Sequence, residues 1–137
     1  RMLRIPPNHN IASDTAWCTT AEVLVPCAIH PIIDTETVDH INARLIIAGQ
    51  NALMTDDHLA LRLHERGIWC LPPFVTNGMG IIMIVNEGRR GYIDNPDAIF
   101  DTEIPNFIAR IKNVVIEARK RNVSPYCVVY DKIGVPF

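Results

Sequence analysis

Arg44-Leu45-Ile46-Ile47-Ala48-Gly49-Gln50-Asn51-Ala52 sets the architecture: a short apolar run of β-forming residues that stops on a glycine and two amides. A strand with one wet face alternates apolar and polar residues, and this one does not. It reads as a strand covered on both faces, as in a parallel sheet. Two similar runs flank it, Val23-Leu24-Val25-Pro26-Cys27 before and Ile68-Trp69-Cys70-Leu71 after. The first connection, Asp34 to Asn42, reads as a short helix capped by Asp34 or Thr35. The second, Asp56 to Arg66, follows the potential cap Thr55, opens on two acids that suit a helix dipole and stops at Gly67. The order is strand, helix, strand, helix, strand. Right-handed crossovers put three such strands in one sheet, and ligands of such sheets sit beyond the carboxyl ends.

Farther out, Gly78 to Val85 is read as a helix although Ile81-Ile82-Met83-Ile84-Val85 has strand propensity. Asn77 is the cap proposed for it, and the small residues of that turn would let a helix start approach a ligand. Ile104, Phe107, Ile108, Ile111, Val114, Val115 and Ala118 recur at three-and-four spacing, which predicts a long amphipathic helix over 103–121. Its apolar stripe is read as core. Residues 1–20, with Pro6-Pro7 and several Asn, Ser and Thr, read as an irregular lead-in.

The 137 residues, 48% hydrophobic, suit a single compact domain with a core of its own. A formal net charge of -2 argues against a nucleic-acid surface despite the clusters Arg89-Arg90 and Arg119-Lys120-Arg121. The apolar runs are too short to predict a membrane span. Cys18, Cys27, Cys70 and Cys127 form no Cys-x-x-Cys pair, which points to a reducing, cytoplasmic setting rather than a disulfide or zinc scaffold.

All three strand exits carry small residues and amides: Pro26-Cys27-Ala28, Gly49-Gln50-Asn51-Ala52, and Pro72-Pro73 before Asn77-Gly78-Met79-Gly80. Small residues allow close backbone approach, and an Asn offers a donor and an acceptor, as a carboxamide or a ribose hydroxyl requires. Any one of them is equally an ordinary turn residue. Cys27 has no base tied to it by motif and reads as a small buried hydrophobe rather than a nucleophile. His58 and His64 lack a metal-binding spacing and read as a solvated helix face, and Asp56 and Asp57 as helix-start charges. No metal is expected.

Taken together, the runs 22–28, 44–52, 63–68 and 74–81 resemble the glutamate/leucine/phenylalanine/valine amino-acid dehydrogenase family, in order and spacing, over about Ala21 to Lys132. The resemblance implies the later part of a nucleotide-binding domain: a partial Rossmann-like, three-layer α/β fold with a parallel sheet and a long C-terminal helix, spanning 1–137. It implies that Cys27 and Ala28 lie beside a nicotinamide, that Asn51 holds its ribose or carboxamide, that Asn77 is a further cofactor-binding residue, and that Ile81 and Ile84 line an apolar substrate pocket. The cofactor implied is NAD or NADP, the partners are an amino acid or 2-oxo acid and further copies of the chain, and the reaction is reversible oxidative deamination. The family's Asn-Ala-Gly-Gly turn is matched imperfectly by Asn77-Gly78-Met79-Gly80.

A Gly-x-Gly-x-x-Gly phosphate loop is not in this sequence. Lys112, Lys120 and Lys132 match no catalytic motif of the family. The expectation is therefore a chain that contributes the nicotinamide side of a larger enzyme's site and does not catalyse alone. The alternative is a non-catalytic module, derived from the same fold, for binding or assembly.

Overall fold

The computed structural model describes residues 15–90 and 97–137. Three parallel strands, β1 (Ala21–Leu24), β2 (Ala43–Ile47) and β3 (Trp69–Leu71), form a sheet in the order β1-β2-β3. Val23 is in register with Leu45 and Leu45 with Trp69, while Leu24, Ile46 and Cys70 form the next row. The α/β reading holds. β1 lies earlier than expected, since Pro26 has no N–H to give to a ladder and pairing ends at Leu24.

The connection from β1 to β2 winds only into a 3-10 turn, Val38–His40, instead of a helix over 34–42. Asp34 Oδ1 does act as a cap, accepting from the backbone N–H groups of Glu36 (2.9 Å) and Thr37 (2.8 Å). These bonds, with the Thr37 hydroxyl, hold the Asp34 carboxyl below its ordinary range. Between β2 and β3, α1 (Leu59–Glu65) starts later than the sequence suggests. Thr55 is not its cap, for Asp56 folds the chain into a turn by accepting from His58 N at 2.9 Å. Gly67 ends the segment at φ 76°, a left-handed conformation that glycine adopts without strain.

A short helix, α2 (Pro73–Thr76), follows β3, and α3 (Met79–Arg90) is helical as expected. α4 (Asp97–Arg121) begins upstream of the boundary read from the apolar stripe and continues through Pro105. α5 (Pro125–Ile133) is capped by Ser124 and closed by Gly134 at φ 70°. Of the lead-in, residues 1–14 lie outside the described residues, and Ala16–Cys18 is a 3-10 turn. No helix among the described residues is long and apolar enough to cross a membrane.

One face of the sheet is covered, most deeply over β2 and β3. Ile46 and Cys70 pack there against Ile33, Val38, Ile41, Leu59, Leu63 and Tyr126. Among the described residues the other face is covered only beside β3, where Val114 and Ala118 of α4 and Val128 and Val129 of α5 meet Trp69. α5 thus contributes to both clusters. Over β1 and β2 this second face is an open groove bounded by Val23, Leu45, Ile47, Ile111 and Val115, and Val23 is 48% exposed. The expectation of cover on both faces is met only in part.

Charged groups fasten the outer elements. The end of α4 is tied to α5 by Glu117–Lys132 (2.9 Å) and Arg121–Asp131 (2.6 Å), and Asp57 accepts from the Tyr130 hydroxyl. Asp57 therefore does more than charge a helix start. The Lys132 ammonium, with the Arg121 guanidinium, holds the Glu117 carboxyl below its ordinary value of 4.5. A depressed carboxylate contributes stability that is present above its unfolded pKa and is lost as pH falls through the folded one. Urea titrations from neutrality down through pH 4.5 should show this loss. Glu117→Gln should remove that part of the pH dependence, while a variant with the same pH slope as the parent would show that the pair contributes nothing.

Candidate functional site

The site is built on the exit of β2, where four consecutive residues each engage a different neighbour. The Ala48 carbonyl accepts from the Thr76 hydroxyl at 3.1 Å, drawing α2 against the end of β2. Gly49 N donates to the Pro26 carbonyl at 2.8 Å, which joins the exits of β1 and β2. Gln50, 6% exposed, turns its carboxamide inward: Oε1 accepts from Ala28 N (2.7 Å), and Nε2 donates to the carbonyls of Ala52 (2.6 Å) and His30 (3.1 Å). Asn51 points outward, and its Oδ1 accepts from Asn77 Nδ2 at 2.8 Å.

Gly49 is required by close approach. A Cβ built there would fall 2.8 Å from Cys27 Sγ and 3.7 Å from the Pro26 oxygen. With no side chain at Gly49, the loop after β1 lies against the loop after β2 with the Cys27 sulfur in the place a Cβ would take. Beyond this contact Cys27 and Ala28 are exposed, so the expectation of a buried Cys27 is corrected. The reason is the early end of β1: Cys27 belongs to the exit loop on the rim, not to the strand.

Asn77 is also corrected in part. It is the residue that ends α2, and its side-chain amide donates across the rim to Asn51. The bond uses one amide hydrogen of Asn77 and one lone pair of Asn51. An amide donor on Asn51 and a carbonyl acceptor on Asn77 stand outside that bond, which is the complement a carboxamide needs. The groups meeting here are backbone, amide and hydroxyl functions with the Cys27 sulfur beside them, and no Asp, Glu, Lys or Arg side chain takes part in these contacts. The arrangement suits recognition of a polar, neutral head group at a small-residue surface.

Of the residues expected to act together, Cys27, Ala28, Asn51 and Asn77 converge on this rim. Ile81 and Ile84 lie on the helix that follows it. Ile81 lines an apolar groove with Phe74, Gly78 and Phe107, and Ile84 is 69% exposed. Lys112 and Lys120 are exposed on α4, and Lys132 is paired with Glu117. His64 meets the Trp69 ring edge-on and His58 the Phe137 ring. Among the described residues no group of three or more His, Cys, Asp or Glu side chains forms a metal site.

Two residues of the site were missed from the sequence, Gln50 and Thr76. Gln50 stood within the amide-rich turn, but nothing in its spacing distinguishes an inward from an outward amide. Thr76 was hidden because Pro73 was not read as the first residue of a helix, a position that proline favours.

A family model described as glutamate/leucine/phenylalanine/valine dehydrogenase matches residues 4–124. A leucine dehydrogenase of Bacillus cereus is 28% identical over 117 residues, covering 82% of this chain and 30% of the relative. Among solved structures, an L-tryptophan dehydrogenase from Nostoc punctiforme superposes with a TM-score of 0.70 at 22% identity, over 78% of this chain and 32% of that one. A glutamate dehydrogenase from Peptoniphilus asaccharolyticus gives 0.62 at 28% identity, over 77% and 27%. The chain thus spans about a fifth to a third of the length of the curated relatives it matches. With the family model matching residues 4–124, most of the chain, and the same α/β fold beneath the match, the chain belongs to the glutamate/leucine/phenylalanine/valine dehydrogenase family.

Proposed function

We propose that this chain supplies the nicotinamide side of the cofactor site in an NAD(P)-dependent dehydrogenase that reversibly deaminates an apolar L-amino acid. The observation that carries the reading is the Asn51–Asn77 amide pair, joined across the exits of β2 and β3 beside the exposed Cys27 and Ala28. The residues fit the group: small side chains leave room for a flat ring, and the amides offer a donor and an acceptor to its carboxamide. A bound nicotinamide supplies hydride chemistry. The chain's own part is to orient the ring. Cys27 and Ala28 form the surface it lies against, and Asn51 and Asn77 exchange some of their mutual bonding for bonds to the carboxamide or ribose.

Ile81 and Ile84 are proposed to contribute apolar surface to the side-chain pocket, and leucine and phenylalanine dehydrogenases among the relatives support that class of substrate. The open sheet face and the exposed edge of β1 favour assembly with further copies or with other parts of the same polypeptide. A cytoplasmic setting agrees with four unpaired cysteines.

The test is a steady-state assay of the whole polypeptide encoded by the gene, with leucine, valine, phenylalanine and tryptophan and either coenzyme. Coenzyme reduction dependent on an apolar amino acid is the expected result, with kcat/KM lowered about tenfold by Asn51→Ala, as the loss of one hydrogen bond to the cofactor requires. Tight coenzyme binding without turnover would instead favour the non-catalytic binding module, and absence of both would overturn the proposal.

A further inference from the structure

Gln50 is the most deeply buried polar side chain of the rim, and it faces away from the surface where a ligand would sit. Its carboxamide meets three backbone groups belonging to two loops: Ala28 N and the His30 carbonyl in the loop after β1, and the Ala52 carbonyl in the loop after β2. One acceptor and two donors are used on one planar group. Neither a carboxylate nor a hydroxyl has that complement, since a carboxylate only accepts and a hydroxyl carries one hydrogen. Ala28 and Asn51, the two rim positions on either side of the clamp, are each adjacent in sequence or bonded directly to it.

We propose that Gln50 is a positioning residue: it sets the separation and orientation of the exit loops of β1 and β2, so that Ala28 and Asn51 present one preformed surface to the nicotinamide. The inference rests on the cofactor reading above. Gln50 does not touch the ligand, and its effect is transmitted through the backbone of its partners. Gln50→Glu keeps the shape of the side chain but turns a carboxylate toward two carbonyl oxygens. It is therefore the sharper variant, and Gln50→Ala removes the clamp altogether.

The experiment combines amide hydrogen exchange with NAD+ titration on the whole encoded polypeptide. Gln50→Ala should speed exchange at the Ala28 amide, which in Gln50→Glu still finds an acceptor, and both variants should weaken NAD+ binding by about tenfold or more, while the amides of Ile46 and Leu63 in the core keep their protection. Lowering the pH should return part of the affinity to Gln50→Glu alone, because a protonated carboxyl regains one donor. Unchanged Ala28 exchange in Gln50→Ala and unchanged affinity in both variants, with core protection retained, would overturn the proposal and leave the cofactor reading standing. A flat titration of the unaltered protein would overturn the cofactor reading itself and this inference with it. Should both variants fail to fold, the unaltered protein still decides: on saturation with NAD+ the Gln50 side-chain amide resonances should move together with those of Ala28 and Ala52. A Gln50 signal that stays fixed while Ala28 shifts would contradict the clamp.

Discussion

Tyr126→Ala is expected to lower the free energy of unfolding by about 3–5 kcal/mol, whereas Tyr126→Phe should leave it unchanged or raise it by about 1 kcal/mol. Tyr126 is 0% exposed and joins α5 to the cluster that covers the closed face of the sheet. Its ring also lies 5.9 Å from that of Phe137. Truncation would open a cavity at the point where α5 meets the core. The hydroxyl is another matter, for it is buried with no nitrogen or oxygen partner among the described residues, and only the weakly bonding Cys70 thiol stands beside it. Burial, with Cys70 and Asp57 nearby, pushes its pKa above the ordinary tyrosine value, and burial pushes the Cys70 thiol up to about 12. Both groups stay neutral at ordinary pH, so the hydroxyl carries a desolvation penalty with little in return. Urea denaturation followed by circular dichroism separates ring from hydroxyl. A loss of more than about 1 kcal/mol in the phenylalanine variant would show that the hydroxyl is bonded in solution.

The second large effect is expected at Gly49. Gly49→Val should cost about 1–3 kcal/mol, the range for overpacking a close contact, and should disturb the rim as well. An added Cβ meets Cys27 Sγ at 2.8 Å, and the two further methyl groups of valine crowd the nearby Pro26 carbonyl. Gly49→Ala should be milder, about 0.5–1.5 kcal/mol, because a rotation about one Cys27 torsion relieves much of the clash. The mechanism makes a sharper claim through the pair: Cys27→Ala should recover most of the loss caused by Gly49→Ala. A double-mutant cycle on unfolding free energies measures that coupling. Simple additivity would mean that the two side chains do not compete for the same space.

The order of strands was legible because β2 and β3 are short apolar runs that leave little choice of element. Their ends were less so. Pro26 stops β1 by lacking a donor, a signal that was present and was outweighed by the apolar run around it. α3 was legible despite its β-branched residues from the small-residue turn at 77–80, although Asn77 ends α2 instead of capping α3. The failures share a cause. Whether Cys27 is buried, whether Asn77 caps a helix or bonds across a rim, and whether Gln50 faces inward all depend on loops from different strands meeting in space. Local sequence does not specify that meeting. Likewise, continuous apolar runs announced a sheet meant for burial on both faces, but the runs alone do not say which elements supply the second cover over Val23 and Leu45.

Amide resonances of the isotopically labelled, whole encoded polypeptide map where NAD+ binds. Saturable shifts centred on Ala28, Asn51 and Asn77 are expected, including the side-chain amides of the two asparagines, with Val38 and Leu63 in the closed core unmoved. Shifts confined to other surfaces, such as the open groove beside Val23 and Val115, or no saturable shift at all, would contradict the cofactor reading.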